Sequence, residues 1–291
     1  MTIRLRHWTQ VRGTVAAHAD HGAEHRWLEV GVPAGFDSPE AGQFVQLLLV
    51  PPSPVLLPRP MSVAAVRRRP NGLGLGFLYS PVGAGTRALS RLEPGDALEI
   101  LGPLGHGFPL EEPGTPVLIA GGRGVAPLLF AADALARAGR RAEFLFGARS
   151  AAQLVGLDQA RTRLDRSGGR LHLCTEDGSR GARGNVVTLL DSLASRLAAP
   201  LVLHACGPHG MLGAVARWGL ERGVRAHLAM ESVMACGTGV CRGCPLPRSK
   251  AASVAFDPDR TPSLYGNREF AMCCTEGPVF EAHDLDWDRV E

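Results

Sequence analysis

Five of the seven cysteines of this 291-residue chain lie in its last fifth, and their spacing could hold a metal cofactor. Cys236, Cys241 and Cys244 are separated by four and then two residues, and Cys273 and Cys274 follow downstream. Three ligands at these intervals, with a fourth far along the chain, are typical of the loop that binds a plant-type two-iron, two-sulfur (2Fe-2S) cluster. Glycines between the cysteines support this interpretation, because the loop must approach the cluster closely and direct backbone N–H groups at its sulfides. The spacing therefore predicts a 2Fe-2S site, with Cys274 or Cys273 as the fourth ligand.

Two other interpretations of the cysteines stay open. Four thiolates could bind a structural zinc ion, although zinc ribbons usually use two Cys-x-x-Cys pairs and only Cys241 and Cys244 form one here. The thiols could also be uncoordinated. A disulfide framework is typical of small secreted domains, and no amino-terminal segment shows a basic start followed by an apolar middle. We therefore expect a reducing, cytoplasmic setting.

Composition excludes several classes of protein. Apolar residues make up 45% of the chain, which is enough for the cores of two medium domains or one large one. The formal net charge is only +3 and no basic run extends beyond Arg67–Arg69, so nucleic acid is not expected as the principal partner. The longest apolar stretches are broken by prolines or by Arg123 before they reach the roughly 20 residues that a membrane span needs.

Two hydrophobic patterns predict the elements that position the cysteines. The first hundred residues contain short apolar runs separated by Gly and Pro, which favours an antiparallel β-barrel. After Pro116, strand-like runs alternate with helical ones, which indicates a parallel sheet flanked by helices. We predict a β-barrel domain at 1–112, a Rossmann-like α/β domain at 113–230 and a cysteine segment at 231–291, in which Pro245–Arg268 forms a long loop.

Glycine-rich turns in the α/β part could bind a dinucleotide. Strand Val117–Ala120 leads into Gly121–Gly124 and then a helix, so backbone N–H groups and the helix dipole can face a pyrophosphate. A second turn, Cys206–Met211, follows another strand and could pack a thiol and a thioether against a nicotinamide. The predicted NAD contacts are Gly122, Gly124, Cys206, Gly207 and Met211. Glycine turns also occur in α/β proteins that bind no nucleotide, and Met211 could belong to the core.

A motif in the barrel half could bind a flavin. In Arg59-Pro60-Met61-Ser62, the arginine could hold a flavin diphosphate and the serine hydroxyl could bond the isoalloxazine edge. Together with Leu78-Tyr79-Ser80, Gly83–Thr86 and Gly102–Phe108, this motif resembles the flavin-binding half of the ferredoxin reductase superfamily. The resemblance implies FAD contacts from Arg59, Pro60, Met61, Ser62, Leu78, Tyr79, Ser80, Gly85 and Thr86.

The whole series of motifs, from Arg59 to Phe280, is similar to the electron-transfer subunits of NAD-dependent dihydroorotate dehydrogenases. This resemblance implies cluster ligation by Cys236, Cys241, Cys244 and Cys274. It also implies that electrons leave dihydroorotate at an FMN in a separate catalytic subunit, cross the 2Fe-2S cluster and FAD, and reduce NAD⁺ in pyrimidine (UMP) biosynthesis. The two subunits are then expected to form a heterotetramer.

The chain departs from that family's pattern at two places. The stretch between the third and fourth ligands is long, and Arg123 stands where the family generally has a small or aliphatic residue. A reductase with the same cofactors that draws electrons from NAD(P)H and feeds an oxygenase or another acceptor is the alternative function. A zinc-stabilised nucleotide-binding module without catalysis is a hypothesis of a different class. No acid–base constellation in the sequence indicates a catalytic residue.

Overall fold

An antiparallel sheet occupies the first part of the chain. The computed structural model describes residues 8–50, 55–257 and 267–290. The first seven strands are β1 (Thr9–Asp20), β2 (Arg26–Pro33), β3 (Phe44–Leu49), β4 (Arg59–Ser62), β5 (Ala65–Arg69), β6 (Gly72–Tyr79) and β7 (Ala97–Leu104). Their order across the sheet is β4-β3-β7-β1-β2-β6-β5. In β2 the residues Leu28, Val30 and Val32 are buried in alternation with half-buried neighbours, as expected where one face of a sheet covers a core.

The two edges of this sheet meet, which gives it the barrel shape that the sequence predicts. Strands β4 and β5 lie at opposite ends of the strand order, yet only two residues separate them in the chain. Those two residues hold both edges, because Val63 donates its N–H to Gln43 at 3.2 Å and Ala64 donates to Gly76 at 2.8 Å. The sheet must therefore curl until its ends are adjacent, and the short helix α1 (Ala84–Leu89) connects β6 to β7 beside them.

A second sheet is mostly parallel and doubly wound. Its strands are β8 (Thr115–Gly121), β9 (Glu143–Ala148), β10 (Arg170–Thr175), β11 (Ala182–Arg183), β12 (Leu201–Cys206), β13 (Arg225–Ala229) and β16 (Val279–Glu281). They lie in the order β11-β10-β9-β8-β12-β13-β16, with β16 antiparallel to β13. The flanking helices are α2 (Val125–Arg137), α3 (Leu157–Asp165), α4 (Val186–Ala194) and α5 (His209–Arg222). The strand order reverses between β8 and β12, as in a Rossmann-like fold.

Strand β8 is buried on both faces, which explains its continuous apolar run. Leu118 and Ala120 join the core that includes the barrel and α2, whereas Val117 and Ile119 join the core beneath α4, α5 and the cysteine segment. A parallel strand covered on both sides needs apolar residues at every position.

The cysteine segment is tied to both sheets. Strand β16 pairs with β13, and the Gly277 carbonyl accepts a 2.6 Å hydrogen bond from the His106 N–H of the barrel half. Within the stretch predicted as a loop, the structure contains β14 (Pro245–Pro247), which pairs with β15 (Phe270–Met272), and the helix α6 (Lys250–Val254). The prediction of a continuous loop over Pro245–Arg268 is therefore wrong at these positions, and residues 258–266 lie outside the described ranges.

The fold class is confirmed by these two sheets and the cysteine-rich C-terminal segment. Division of the chain at residues 112 and 230 stays a prediction, since β16 from the third predicted range completes the sheet of the second. Within the described ranges, no helix combines the length and apolar character that crossing a bilayer requires.

One buried histidine lies where the barrel half meets the second sheet. The His204 ring packs against Phe108 at 5.6 Å and His227 at 5.5 Å, and its Nδ1 has no hydrogen-bond partner among the described residues. Burial, together with the charges of His227 and Arg140, lowers the pKa of His204 to about 3. The folded protein therefore keeps this ring neutral where an unfolded chain would protonate it.

This difference predicts a pH dependence of stability. An unfolded histidine titrates near pH 6.5, so between about pH 6.5 and 3 the unfolded state binds a proton that the folded state excludes. The free energy of unfolding should fall with decreasing pH in this window, by up to about 1.4 kcal/mol per pH unit from this group. His204→Phe keeps the ring contacts and should reduce that slope in urea unfolding at several pH values. Exposed His283→Phe is the control, and equal slopes for both variants and the wild type would contradict the assignment.

Candidate functional site

A cleft of about 1230 Å³ lies at the carboxyl ends of the parallel strands. The segments that line it follow β8, β9, β10 and β12, and they include Gly121–Gly124, Gly147–Arg149, Glu176 and residues of the turn Gly207–Met211. This is the position where the strand order reverses, and ligands of doubly wound sheets bind at such a point. The cleft therefore has the location and the volume of a nucleotide site.

The glycine turn at the start of α2 is shaped for an anion. Gly122 has a φ of +52° and nothing within 4 Å of the position that a Cβ would take, so its backbone lies open at the cleft. A Cβ on Gly124 would lie 2.1 Å from the Cys206 carbonyl oxygen, so only glycine lets this turn touch the end of β12. Helix α2 begins with no side-chain cap and no acidic residue in its first turn. Its amino-terminal N–H groups and dipole thus suit a pyrophosphate.

Part of the second predicted turn, Cys206–Met211, lines the wall of the cleft, and part of it is buried in the core. Gly207 and Met211 line the cleft, and a Cβ on Gly121 would lie 2.5 Å from the Met211 sulfur, so the thioether packs directly on the first glycine turn. Cys206 lies beneath them and is buried, and burial raises the pKa of its thiol. The structure therefore brings Gly122, Gly124, Gly207 and Met211 to one cleft and places the Cys206 side chain below it.

Two residues of the predicted flavin site that are far apart in the chain, Arg59 and Gly85, lie in contact. Arg59, Pro60, Met61 and Ser62 form β4, and Leu78 and Tyr79 end β6 just before Ser80. A Cβ on Gly85 would lie 2.6 Å from Cδ of Arg59, so the arginine side chain lies across helix α1 at a position that requires glycine. Its guanidinium donates to the carbonyls of Pro58 at 2.8 Å and Leu57 at 3.2 Å.

Two hydroxyls of the motif already have partners in the protein. The Tyr79 hydroxyl is 2.9 Å from Nε2 of His18, and burial raises the pKa of this phenol. The Thr86 hydroxyl accepts from the Gly83 N–H at 3.0 Å and donates to the Gly83 carbonyl at 3.2 Å, which caps α1. These side chains shape the barrel wall near Arg59, and their cofactor contacts stay predictions.

Backbone N–H groups of the cysteine loop point at its sulfurs. The Thr238 and Cys241 N–H groups donate to Sγ of Cys236 at 3.4 and 3.5 Å, and the Gly243 N–H donates to Sγ of Cys241 at 3.4 Å. Gly237 and Gly239 have positive φ angles of 77° and 88°, which the tight loop requires. Donors aimed at sulfur favour the thiolate form that metals bind.

The four predicted ligands form two pairs. Burial alone would raise the pKa of Cys236, but hydrogen bonds from Cys241 and Thr238 outweigh it and lower that pKa to about 6. Cys274 hydrogen-bonds Cys244 and lowers the pKa of Cys244 to about 7, although burial opposes the shift. Across the described ranges, no three His, Cys, Asp or Glu side chains converge as the ligands of one metal ion would. Two pairs of cysteine sulfurs match the ligand set of a two-iron cluster, in which each iron takes two cysteines.

The adjacent cysteines at 273 and 274 have different environments. Cys274 donates its backbone N–H to Sγ of Cys244 at 3.4 Å, and its own pKa is raised first by the side-chain bond to Cys244 and then by burial. The Cys273 thiol points instead toward the Met230 carbonyl at 3.8 Å inside the core, and burial raises its pKa. The geometry favours Cys274 as the partner of Cys244.

Sequence reasoning did not single out Glu231, which joins two parts of the site. It lines the nucleotide cleft, and its carboxylate acts electrostatically on the thiols of both Cys206 and Cys273. Its carbonyl oxygen is 2.8 Å from Nε2 of His209 at the start of α5. Its position directly after parallel strand β13 was a signal that could have identified it, since strand ends carry ligand-binding residues.

Solved structures confirm the fold. The structure of an NADH-dependent reduced ferredoxin-NADP oxidoreductase, reported in connection with flavin-based electron bifurcation, superposes with a TM-score of 0.78 at 25% identity over 96% of this chain and 91% of that one. A ferredoxin NADP⁺ reductase from Neisseria gonorrhoeae with bound FAD and NADP gives a TM-score of 0.61 at 16% identity and covers 74% of this chain and 92% of that one, which shows the fold alone.

Curated sequences identify the family, although no family model matches the chain. The dihydroorotate dehydrogenase B (NAD⁺) electron transfer subunit of Listeria monocytogenes serotype 4b is 34% identical over 248 residues, which is 84% of this chain and 86% of the relative. The protein of the same name from Desulforamulus reducens is 31% identical over 260 residues, covering 87% of this chain and 91% of the relative. With this level of identity over most of its length, the chain belongs to the family of dihydroorotate dehydrogenase B (NAD⁺) electron transfer subunits.

Proposed function

We propose that this chain is the subunit that carries electrons from an FMN-containing dihydroorotate dehydrogenase catalytic subunit to NAD⁺. The single observation that carries the proposal is the pairing of Cys236 with Cys241 and of Cys244 with Cys274, in a segment fastened to both sheets. Relatives over 84% of the chain bear the name of an electron transfer subunit, which supports a catalytic partner. A heterotetramer with that partner in a cytoplasmic setting is part of the proposal.

The chain's own residues would hold three cofactors. The four paired cysteines would bind a 2Fe-2S cluster, and the Arg59 guanidinium across α1 would bind the FAD diphosphate. The open backbone at Gly122 and the uncapped start of α2 would bind the NAD pyrophosphate. When bound, a nicotinamide exchanges a hydride, a two-iron cluster exchanges single electrons and a flavin converts between the two. The protein supplies position and surroundings for that chemistry.

The cysteine loop also presents an apolar surface to a partner. Val233 precedes the first predicted ligand, Cys236, and is 83% exposed. Val240 lies between the first and second predicted ligands and is 65% exposed. Apolar side chains beside a redox centre favour close approach of another protein, because their burial excludes water from the contact. This surface is where we place the catalytic subunit.

A reductase that draws electrons from NAD(P)H and feeds an oxygenase is the second candidate. The structure of the cytochrome P450 reductase GcoB from Amycolatopsis supports it, with a TM-score of 0.61 and 28% identity over 74% of this chain. Co-purification distinguishes the two functions. Binding of this chain to an FMN protein that oxidises dihydroorotate supports the first function. Tight binding to an oxygenase, with no binding to such an FMN protein, would support the second function instead.

Replacing Cys241 tests the relay. Cys241→Ser should remove the visible absorbance of the cluster and lower NADH formation from dihydroorotate in the two-subunit complex by roughly tenfold or more, since a hard hydroxyl is a poor ligand for iron in such a cluster. FAD content and NADH oxidation by artificial acceptors should stay close to the wild type. Cys174→Ala, which removes a buried thiol outside the loop, is the control. Full coupled activity in Cys241→Ser would contradict the proposed path.

The fourth ligand is tested by a matched pair of variants. Cys274→Ala should lose the cluster absorbance and its iron, because it removes the thiol paired with Cys244. Cys273→Ala removes a core thiol that faces Met230 and should retain both, with only a lower unfolding temperature. The measurement is iron and acid-labile sulfide per chain beside the visible spectrum. Loss of iron in Cys273→Ala but not in Cys274→Ala would reverse the assignment.

The nucleotide turn is tested at Gly124. A methyl group there would lie 2.1 Å from the Cys206 carbonyl, so Gly124→Ala must displace the turn. We expect NAD⁺ affinity to fall by roughly tenfold or more in calorimetry, because the backbone donors move away from the pyrophosphate. Gly31→Ala is the matched control, since Gly31 lies in barrel strand β2 outside the cleft and a Cβ there comes no closer than 3.4 Å to another atom. Equal affinity in both variants would remove the turn from the site.

A further inference from the structure

Three arginines surround one carboxylate at the end of α2 that lies away from the nucleotide cleft, and a fourth lines the same cleft. Asp133 is in the last turns of this helix, and its oxygens are 3.6 Å from Arg137, 3.6 Å from Arg163 and 3.3 Å from Arg166. Arg67 of strand β5 completes the group and acts electrostatically on Arg163. We call this group, Arg67, Arg137, Arg163 and Arg166 around Asp133, the arginine cluster.

The arginine cluster lines a cleft of about 420 Å³. This volume is in the range of small-molecule sites, and the cleft lies between α2, α3 and β5. Helix α2 rises about 1.5 Å per residue, so Asp133 and Arg137 are roughly 14 and 20 Å from the glycine turn at the other end of the helix. It shares no lining residue with the nucleotide cleft among the described residues.

Positive charge in this cleft exceeds negative charge. Asp133 and Asp158 are the acidic residues of the lining, against the four guanidinium groups. Beyond the lining, Glu29 is 4.0 Å from Arg67, but it is also paired with Arg69 at 2.6 Å. The two carboxylates of the lining do not neutralise its four arginines, so the cleft retains net positive charge that an anion would compensate.

Hydrogen-bond capacity points to the same conclusion. The Arg163 side chain is only 9% exposed, and its Nε, which lies 3.6 Å from Oδ2 of Asp133, makes no hydrogen bond in the described part of the chain. Nη1 of Arg163 donates to the Gln159 carbonyl at 3.0 Å. The Gln159 side-chain Oε1 also lacks a partner there. A buried donor and a buried acceptor in the same cleft are costly to leave unpaired, and a protonated phosphate group can satisfy both.

We propose that the arginine cluster is a binding site for the phosphate groups of a small phosphorylated metabolite, separate from the nucleotide and flavin sites. Guanidinium groups bind phosphate oxygens through paired, charge-assisted hydrogen bonds, and Arg163 at the base with Arg67 and Arg166 at the exposed rim gives donors on several sides. A purely structural ion-pair network is the competing explanation. Such a network leaves Nε of Arg163 and Oε1 of Gln159 without hydrogen bonds, whereas a bound phosphate would supply them.

The test is calorimetric titration of the full, FAD-loaded chain with pyrophosphate, in the presence of saturating NAD⁺ to fill the nucleotide cleft. The wild type should bind one pyrophosphate per chain, and its unfolding temperature should rise with pyrophosphate. Arg166→Ala and Arg67→Ala should each weaken binding by about tenfold, because each loses a charge-assisted contact. Both side chains are more than half exposed, so the variants should fold. Neither cluster assembly nor a partner subunit enters this measurement, so its result is independent of the proposed relay.

Arg161→Ala is the matched control. Arg161 is exposed on α3, the helix that carries Arg163, and it lies outside the lining of the cleft. This variant should leave the affinity unchanged. Arg166→Lys should bind more weakly than the wild type and more tightly than Arg166→Ala, since it keeps the charge but loses the fork geometry. Absence of saturable binding to the wild type, or equal losses in Arg161→Ala and Arg166→Ala, would overturn the proposal.

Discussion

The close contact between the cysteine loop and the barrel is the constraint on which the rest of the arrangement depends. Gly237 lies against Gln46 and Leu104 so tightly that a Cβ would come within 2.9 Å of either side chain. Nε2 of buried Gln46 also donates to the Met234 carbonyl at 3.1 Å. These contacts fix the loop against strands β3 and β7 while β16 fixes the same segment to the second sheet. Electron transfer between groups held by one chain needs such short and rigid separations, because a mobile loop would not keep them.

Thiol chemistry in this segment is set by the backbone more than by charged side chains. N–H groups of Thr238, Cys241 and Gly243 are directed at sulfur, so they stabilise thiolates without adding a cation that would repel iron. Cys273 lies in the core, where burial favours the neutral thiol. The two neighbouring cysteines thus differ in their partners, because Cys274 contacts Cys244 of the loop whereas the Cys273 thiol faces the Met230 carbonyl.

The sequence was sufficient to predict most features that depend on residue spacing and hydrophobic periodicity. Cysteine intervals indicated the loop, and the glycine turns indicated the cleft, since both depend on residues close together in the chain. Strand β1 and the short elements β14 and α6 were missed, because their pairing with distant segments determines them and their apolar patterns are weak. The burial of Cys206 and the use of the Tyr79 hydroxyl by His18 were also inaccessible, because each depends on contacts across elements. The arginine cluster combines β5, α2 and α3 and has no signature in any one of them.

Pairing of β16 with β13 also has a consequence for synthesis on the ribosome. Strand β13 is complete at Ala229, yet the strand that covers its outer edge ends only at Glu281, roughly fifty residues later. At about 5–20 residues per second, a nascent chain exposes that unpaired edge for roughly 3–10 s. Uncovered strand edges are templates for aggregation, so this interval is the stage at which the chain is most dependent on chaperones.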